Sequence, residues 1–289
     1  MSPDAETIQR LEPLELKPIP GPSAFGDGWR RTWDMLWLIS VTEFRLQYTN
    51  TTLGYVWSVL KPFAFFGVIF LVIDQVLSRF ADEVHYFPEK LILALVLFQY
   101  FSEATNTSLR SIQARESMLR KTHFPRIVIP LSLNLSAAIT LVFNLIGVFF
   151  VLILAGVEPE AHWLLVPFAL IALVALTTTL SMLLSVAFVR SEDVGQGWSL
   201  TLRALFYATP ILYTLTILPD WIQPLINANP LSPLIEYMRV WVVEPSAATP
   251  VDLLGVTEGL LIPLAVALVI GLSGFFWFKR DAPRIAEAL

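Results

Sequence analysis

The chain is 289 residues long, 55% hydrophobic and only 15% charged, with a formal net charge of −5, three His and no Cys. A soluble domain carries about 25% charged residues, so this deficit, with the charge confined to short stretches between long apolar runs, excludes an ordinary soluble globular chain. Without Cys there are no disulfides or thiolate metal sites, and His85, His123 and His162 lie too far apart in sequence to suggest a metal cluster.

Residues 1–28 lack an apolar core and are punctuated by Pro3, Pro13, Pro18, Pro20 and Pro22. They read as a disordered tail left in the cytoplasm and not as a signal peptide. Residues 29–50 form the next unit. At about 100° per residue, Arg30, Arg31, Asp34 and Arg45 fall on one side and Trp29, Trp33, Leu36, Trp37 and Phe44 on the other. This predicts an amphipathic helix lying in the lipid headgroup layer, with Trp33, Trp37 and Arg45 as its marker residues. Glu43 falls on the apolar side and therefore calls for a polar partner.

Six spans are predicted across the remainder, residues 51–289: Tyr55 to Leu77, Leu91 to Leu109, Ile127 to Ala155, Trp163 to Val189, Trp198 to Ile217 and Leu260 to Phe278. Each is near the ~20 residues that cross a hydrocarbon core. The expected fold is an all-α polytopic membrane protein. Trp57, Trp163, Trp198 and Trp277 sit at span ends, where indole favours the interface. With the N-terminus inside, the outer segments hold only Arg79, Lys90 and Arg239. All other Lys and Arg, among them Arg115, Arg120, Lys121, Arg126, Arg190 and Arg203, count with the inner segments. The positive-inside rule then places both termini in the cytoplasm.

Between the fifth and sixth spans, residues 218–245 are apolar yet broken by Pro219, Pro224, Pro230 and Pro233. The segment is too short to cross twice and suits two short helices dipping into the outer leaflet. Glu236 and Arg239 are three apart and can meet on one helical face.

No G-x-x-x-x-G-K-[ST] occurs, so the chain has no phosphate cradle for ATP and carries no catalytic motif; nothing points to a nucleic-acid partner. Ser132, Ser136, Thr140 and Asn144 repeat every four residues on the third span, as do Thr177, Ser181 and Ser185 on the fourth. Helix packing through small and hydroxyl side chains is the favoured reading over the lining of a pathway. Phe63, Phe66 and Phe70 form a stripe on the first span. These three, with Glu103, Tyr207 and Tyr213, are the candidate pathway-lining residues. The inner loop, residues 113–126, is short and basic.

Several segments together resemble a known family. They are Arg45-x-x-Tyr48-x-x-Thr51-x-Leu53-Gly54-x-x-Trp57, Lys61-Pro62, Phe101-Ser102-Glu103-Ala104, Met118-Leu119-Arg120-Lys121-x-x-Phe124-Pro125-Arg126, Asp193-Val194-Gly195, Leu218-Pro219-x-Trp221, Asn229-Pro230-Leu231-Ser232-Pro233 and Glu236-x-x-Arg239. In this order they resemble the membrane subunits of ABC type-2 exporters, in particular the bacterial permeases for polysaccharide, O-antigen and teichoic acid. Lys61, His123 and the Ser191-Glu192 pair depart from the usual pattern.

The resemblance implies a homodimer of permease subunits in the bacterial inner membrane, docked on two ATP-binding cassette subunits. ATP and Mg would be bound by those partners and no cofactor by this chain. Arg115, Met118, Leu119, Arg120, Lys121, Phe124, Pro125 and Arg126 would couple to the ATPase. Trp221, Asn229, Pro230, Glu236 and Arg239 would belong to an outer gate. The cargo would be a lipid-linked glycan on an undecaprenyl-type carrier. Two alternatives stay open: an efflux permease for drugs or small lipids, and a membrane-embedded glycan-transfer enzyme. Against the enzyme, the acidic pairs Asp82-Glu83 and Glu192-Asp193 stand isolated in the sequence.

Overall fold

A computed structural model describes residues 29–49, 54, 56–76, 86–115 and 126–288, with side chains except at 29–31, 48, 74–76 and 282–288. The predicted tail therefore lies outside the described residues, as do Met118, Leu119, Arg120, Lys121, Phe124 and Pro125 of the inner loop.

Every regular element among the described residues is helical. In chain order they are α1 (Trp29–Thr49), α2 (Val56–Val76), α3 (Phe87–Leu109), the single turn α4 (Ser111–Ala114), α5 (Val128–Leu154), α6 (Val166–Arg190), α7 (Asp193–Ala208), α8 (Gln223–Asn227), α9 (Leu231–Val242), α10 (Pro250–Val256) and α11 (Ile262–Ala288). A 3₁₀ turn (Ala161–Leu165) leads into α6, and one π turn (Thr257–Leu261) joins α10 to α11.

The helix α3 is the hub. Leu91 to Leu97 are all buried, as expected of a helix that is apolar all round and enclosed by its neighbours. It packs on α5 and α6, and also touches α2, α7 and α9. Helix α1 lies along α5, and α11 lies along α6. The α6–α11 contact depends on glycine: a Cβ at Gly274 would come within 2.2 Å of the Thr179 carbonyl oxygen.

Among the described residues, four helices are long and apolar enough to cross a bilayer: α2, α5, α6 with its leading turn, and the stretch from α10 through α11. The expected second and fifth spans fall outside that set, for two physical reasons. From Leu91 to Phe98 α3 is apolar, but Glu89 and Lys90 precede that run and its second half carries Ser102, Glu103, Thr105, Asn106, Thr107 and Ser108. Helix α7 has 16 residues, about 24 Å of rise, and stops at Ala208 instead of running to Ile217. Thr209 is extended (φ −103°, ψ 140°), the conformation favoured before a proline, and Pro210 has no N–H to continue the helix.

The stretch from α10 through α11 begins irregularly. Thr249 and Asp252 form a reciprocal capping box on α10, and Gly255 at φ 75° then breaks the helix before the π turn. Asn227 of α8 donates to the carbonyls of Glu258 (2.8 Å) and Gly259 (3.2 Å), which ties α8 to this turn.

The polar stripes are packing surfaces. Ser132, Ser136, Thr140, Asn144, Thr177, Ser181 and Ser185 are all buried. Asn134, between two stripe positions, donates to Ser108 on α3 (2.9 Å) and accepts from Ser181 on α6 (3.4 Å). The favoured reading of the stripes therefore holds. Trp198 departs from its expected role as an interfacial anchor: it is buried and donates to Thr105 Oγ1 at 3.2 Å.

Candidate functional site

Polar side-chain contacts gather at the two opposite ends of the helices, and a groove lies between them. At one end, the start of α3 meets α9. The Arg239 guanidinium is buried and donates to Glu236 Oε1 (2.9 Å) and to the carbonyls of Ile211 (2.7 Å), Tyr213 (2.9 Å) and Lys90 (3.2 Å). Glu236 also accepts from the backbone N–H of Leu215 at 3.3 Å. Lys90, itself buried, pairs with Glu244. These groups border a cavity of about 520 Å³ whose wall also includes Thr214 and Thr216.

The predicted i, i+3 meeting of Glu236 and Arg239 is therefore present, but its main consequence is long-range. Arg239 satisfies carbonyls of the non-helical chain after α7, which has no helix of its own to do so. Asn229 acts similarly: its amide donates to Thr209 Oγ1 (2.8 Å) and its carbonyl oxygen accepts from the Leu231 N–H (3.2 Å). Pro230 is the residue from which α9 starts. Trp221 is 78% exposed.

At the other end, Glu43 of α1 finds the polar partner its position demanded, in Arg115 just beyond α4. Gln113 donates to Glu192 at 3.0 Å, and Arg190 pairs with Asp281, which also accepts from Trp277 Nε1 at 2.6 Å. The backbone of Arg126 lies in the turn that begins α5, its carbonyl accepting from the Ile129 N–H at 3.3 Å. The buried stripe of α1 is Leu36, Ser40 and Phe44, with Phe44 stacked on Phe143 of α5 at 5.7 Å. Trp33 and Trp37, expected on the apolar side, project outward with 51% and 53% of their surface exposed; Arg45 is exposed as well.

Between the two ends, α2, α3 and α7 enclose a groove of about 490 Å³. Its aromatic wall centres on Phe206, whose ring lies 5.3 Å from Tyr207, 5.5 Å from Phe98 and 6.3 Å from Phe65. The polar residues facing it are Gln99 and Ser102 of α3 and Arg203 of α7.

Of the residues predicted to line a pathway, only Tyr207 lies on this groove. Phe63, Phe66 and Phe70 pack toward the core, with Phe63 close to Gly147 of α5 and Phe66 stacked on Phe70 at 5.7 Å. The stripe on α2 was rotated from the groove-facing residue, which is Phe65. Glu103 accepts from Gln47 of α1 at 2.8 Å and so belongs to the α1 contact. Tyr213 donates its hydroxyl to the Tyr207 carbonyl at 2.9 Å and offers its own carbonyl to Arg239, as a strut between the groove and the α9 cluster.

Sequence reasoning missed Phe65, Phe98, Gln99, Ser102, Arg203 and Phe206. Two signals were present: Gln99 and Ser102 are one helical turn apart, and so are Arg203 and Tyr207. The sequence groups Arg203 with an inner segment. It lies instead ten residues into α7, about 15 Å from the start of that helix.

Residues 35–242 match the ABC-2 type transporter family. Relatives with this similarity include the O-antigen export system permease protein RfbA of Klebsiella pneumoniae, 30% identical over 70% of this chain and 77% of its own length. A protein of the same name in Myxococcus xanthus is 26% identical over 62% of this chain and 67% of its own. The polysialic acid transport protein KpsM of Escherichia coli is 22% identical over 79% of this chain and 88% of its own. The chain thus belongs to the ABC-2 type transporter family as a multi-pass membrane permease subunit, whose ATP is hydrolysed on a partner ATP-binding subunit.

Proposed function

We propose that this chain is the permease of an exporter that moves a lipid-linked polysaccharide, or a teichoic-acid-like glycopolymer, from the cytoplasm to the outer face of the bacterial cell membrane. The observation that carries the substrate class is its similarity to relatives named for O-antigen and polysialic acid export. The aromatic groove supports it, since the rings of Phe206 and Tyr207 offer flat apolar faces to sugar rings.

In this reading α3 and α7 complete six spans, each relying on neighbours to cover its polar or irregular portion. Helices α8 and α9 are the re-entrant gate pair within residues 218–245. Chain that is not helical at membrane depth must have its backbone satisfied by protein, and Asn227, Asn229 and Arg239 supply those contacts. Both termini are cytoplasmic. Lys90 and Arg239, two of the three cations assigned outside, are each neutralised by a carboxylate, which strengthens the inward bias of free positive charge. Two copies form the channel. Helix α1 and residues 113–126 form the face on which two ATP-binding subunits dock, with the Glu43–Arg115 pair joining these two parts.

Transport is the direct test. The chain and its ATP-binding partner are reconstituted in liposomes with a radiolabelled lipid-linked glycan on the ATP side. ATP-dependent movement of label to the opposite leaflet is expected. Movement of a hydrophobic dye with no movement of glycan would favour the efflux alternative. Sugar transfer catalysed by the purified chain alone would overturn the permease reading.

A further inference from the structure

Pro263 creates a local problem at the start of α11. In a regular α-helix the Gly259 carbonyl accepts from the N–H of residue 263, and proline has none. The chain makes a π turn just before it, in which the Ile262 N–H donates to the Thr257 carbonyl. That N–H is thereby lost to Glu258, its partner in an α-helix. Two adjacent carbonyls thus lack the donor that a regular helix would give them. At membrane depth such groups must be satisfied by protein. Asn227 of α8 does this, donating to Glu258 at 2.8 Å and to Gly259 at 3.2 Å from a fully buried side chain. A carbonyl only accepts, so the amide nitrogen has to face the turn, and Asn227 Oδ1 is left buried with no hydrogen-bond partner among the described residues.

Asn227 belongs to a segment that is pinned at its two ends. The Leu215 N–H donates to Glu236 (3.3 Å), Asn229 donates to Thr209 (2.8 Å), and Ser232 donates to the Ile226 carbonyl (2.7 Å). Residues 216–228 are therefore a strap fastened to α9 and to the end of α7. Helix α9 is itself largely buried, and Arg239 binds it to the Lys90 carbonyl of α3. The strap is not buried in this way: Ile217, Trp221 and Leu225 are exposed. Among the described residues, both hydrogen bonds from the strap to the stretch from α10 through α11 come from Asn227.

We propose that Asn227 and the π turn before Pro263 form a latch, closed in this structure, whose release lets residues 216–228 swing about their pinned ends while α9 stays in place. The receiving side has two arrangements. When Asn227 withdraws, a shift of the turn from π to α register returns the Ile262 N–H to Glu258, and Gly259 alone still wants a donor. The orphaned Oδ1 keeps the closed latch short of full satisfaction, which holds release within reach. The assignment rests on the exporter reading, in which α8 and α9 form the outer gate.

The test is hydrogen–deuterium exchange on the complex of permease and ATP-binding partner in nanodiscs, resting and trapped with ATP, Mg and vanadate. In the wild type, exchange over residues 216–228 is expected to rise at least about tenfold on trapping, with residues 231–242 unchanged. Asn227→Leu should show the fast exchange at rest. Pro263→Ala supplies the missing N–H, so it should slow exchange over residues 257–262 and speed it over residues 216–228. Added to Pro263→Ala, Asn227→Leu should change the strap by less than about twofold, because the carbonyls no longer need the amide. Additive effects of the two substitutions would overturn the latch. Equal exchange of residues 216–228 in the resting and trapped wild type would also overturn it, as would an equal rise over residues 231–242. If Asn227→Leu does not assemble, Pro263→Ala decides, and an unchanged strap overturns the proposal. Glycan export separates the two readings. A wild-type complex whose strap opens on trapping but which exports no glycan removes the exporter reading alone. One that exports while residues 216–228 stay protected removes the latch alone.

Discussion

Arg239 shows how much a single side chain holds in this protein. Its guanidinium binds Glu236 and three carbonyls drawn from α3 and from the chain after α7. Replacing it with Met leaves a buried carboxylate without its cation and strips those carbonyls of a donor. Removing one member of a buried ion pair costs about 3–5 kcal/mol, whereas removing both charges together costs far less. Arg239→Met is therefore expected to lower the unfolding temperature in detergent markedly. The double substitution Glu236→Met with Arg239→Met should recover part of the loss, although the carbonyls stay unsatisfied. Scanning fluorimetry on the purified variants checks both outcomes; a double variant less stable than the single one would contradict the ion-pair argument. The i, i+3 spacing made this pair legible in the sequence. The partners at Lys90 and Ile211 were not legible, because nothing local links residues separated by 149 and 28 positions.

At the scale of elements, the α6–α11 contact depends on a close backbone approach at Gly274. Any side chain there meets the Thr179 carbonyl oxygen, and backbone has no rotamer with which to yield. Gly274→Leu should separate the two helices at a cost of about 1–3 kcal/mol or more. The expected result is a lower melting temperature and an earlier onset of aggregation on size-exclusion chromatography. Gly67, with open space around it, is the matched control, and Gly67→Ala should leave both unchanged apart from a small propensity effect. The spacing of apolar residues foretold where α1, α2, α5 and α6 run, since periodicity is a local property. It misjudged α7, where Thr209 and Pro210 stop the helix, and it assigned Trp198 to the interface when the indole is buried against Thr105. The first difference follows from Pro210, which has no N–H to continue α7, and the second from a buried hydrogen bond between residues 93 positions apart.

Two features concern the molecule as a whole. Charged contacts are concentrated at opposite ends of the helices, and the end containing Glu43 and Arg115 joins α1 to the start of the loop that follows α4. A partner ATPase gripping the rest of that loop would pull on α1 through this pair. Replacing Arg120 and Lys121 together by Glu is expected to reduce co-purification of the ATP-binding subunit and to lower export by at least about tenfold, as loss of a docking contact of ~1.4 kcal/mol would. The permease should remain folded, as judged by its own melting curve. Undiminished co-purification and export would place the docking face elsewhere.

The sequence by itself determined the all-helical membrane class, the helical course of α1, the capacity of Glu236 and Arg239 to meet, and the family, through motifs strung in order along the chain. These are properties of composition, of short-range periodicity or of linear order. Only the tertiary structure decided which helix faces meet. It turned Phe65 toward the groove and Phe63 toward α5, and tied Glu103 to Gln47 on α1. It also brought Gln99 and Ser102 of α3 to the same groove as Arg203 of α7. The physical reason is that a helix fixes the relative directions of its side chains but not its rotation about its own axis. That rotation is set by packing against neighbours distant in sequence.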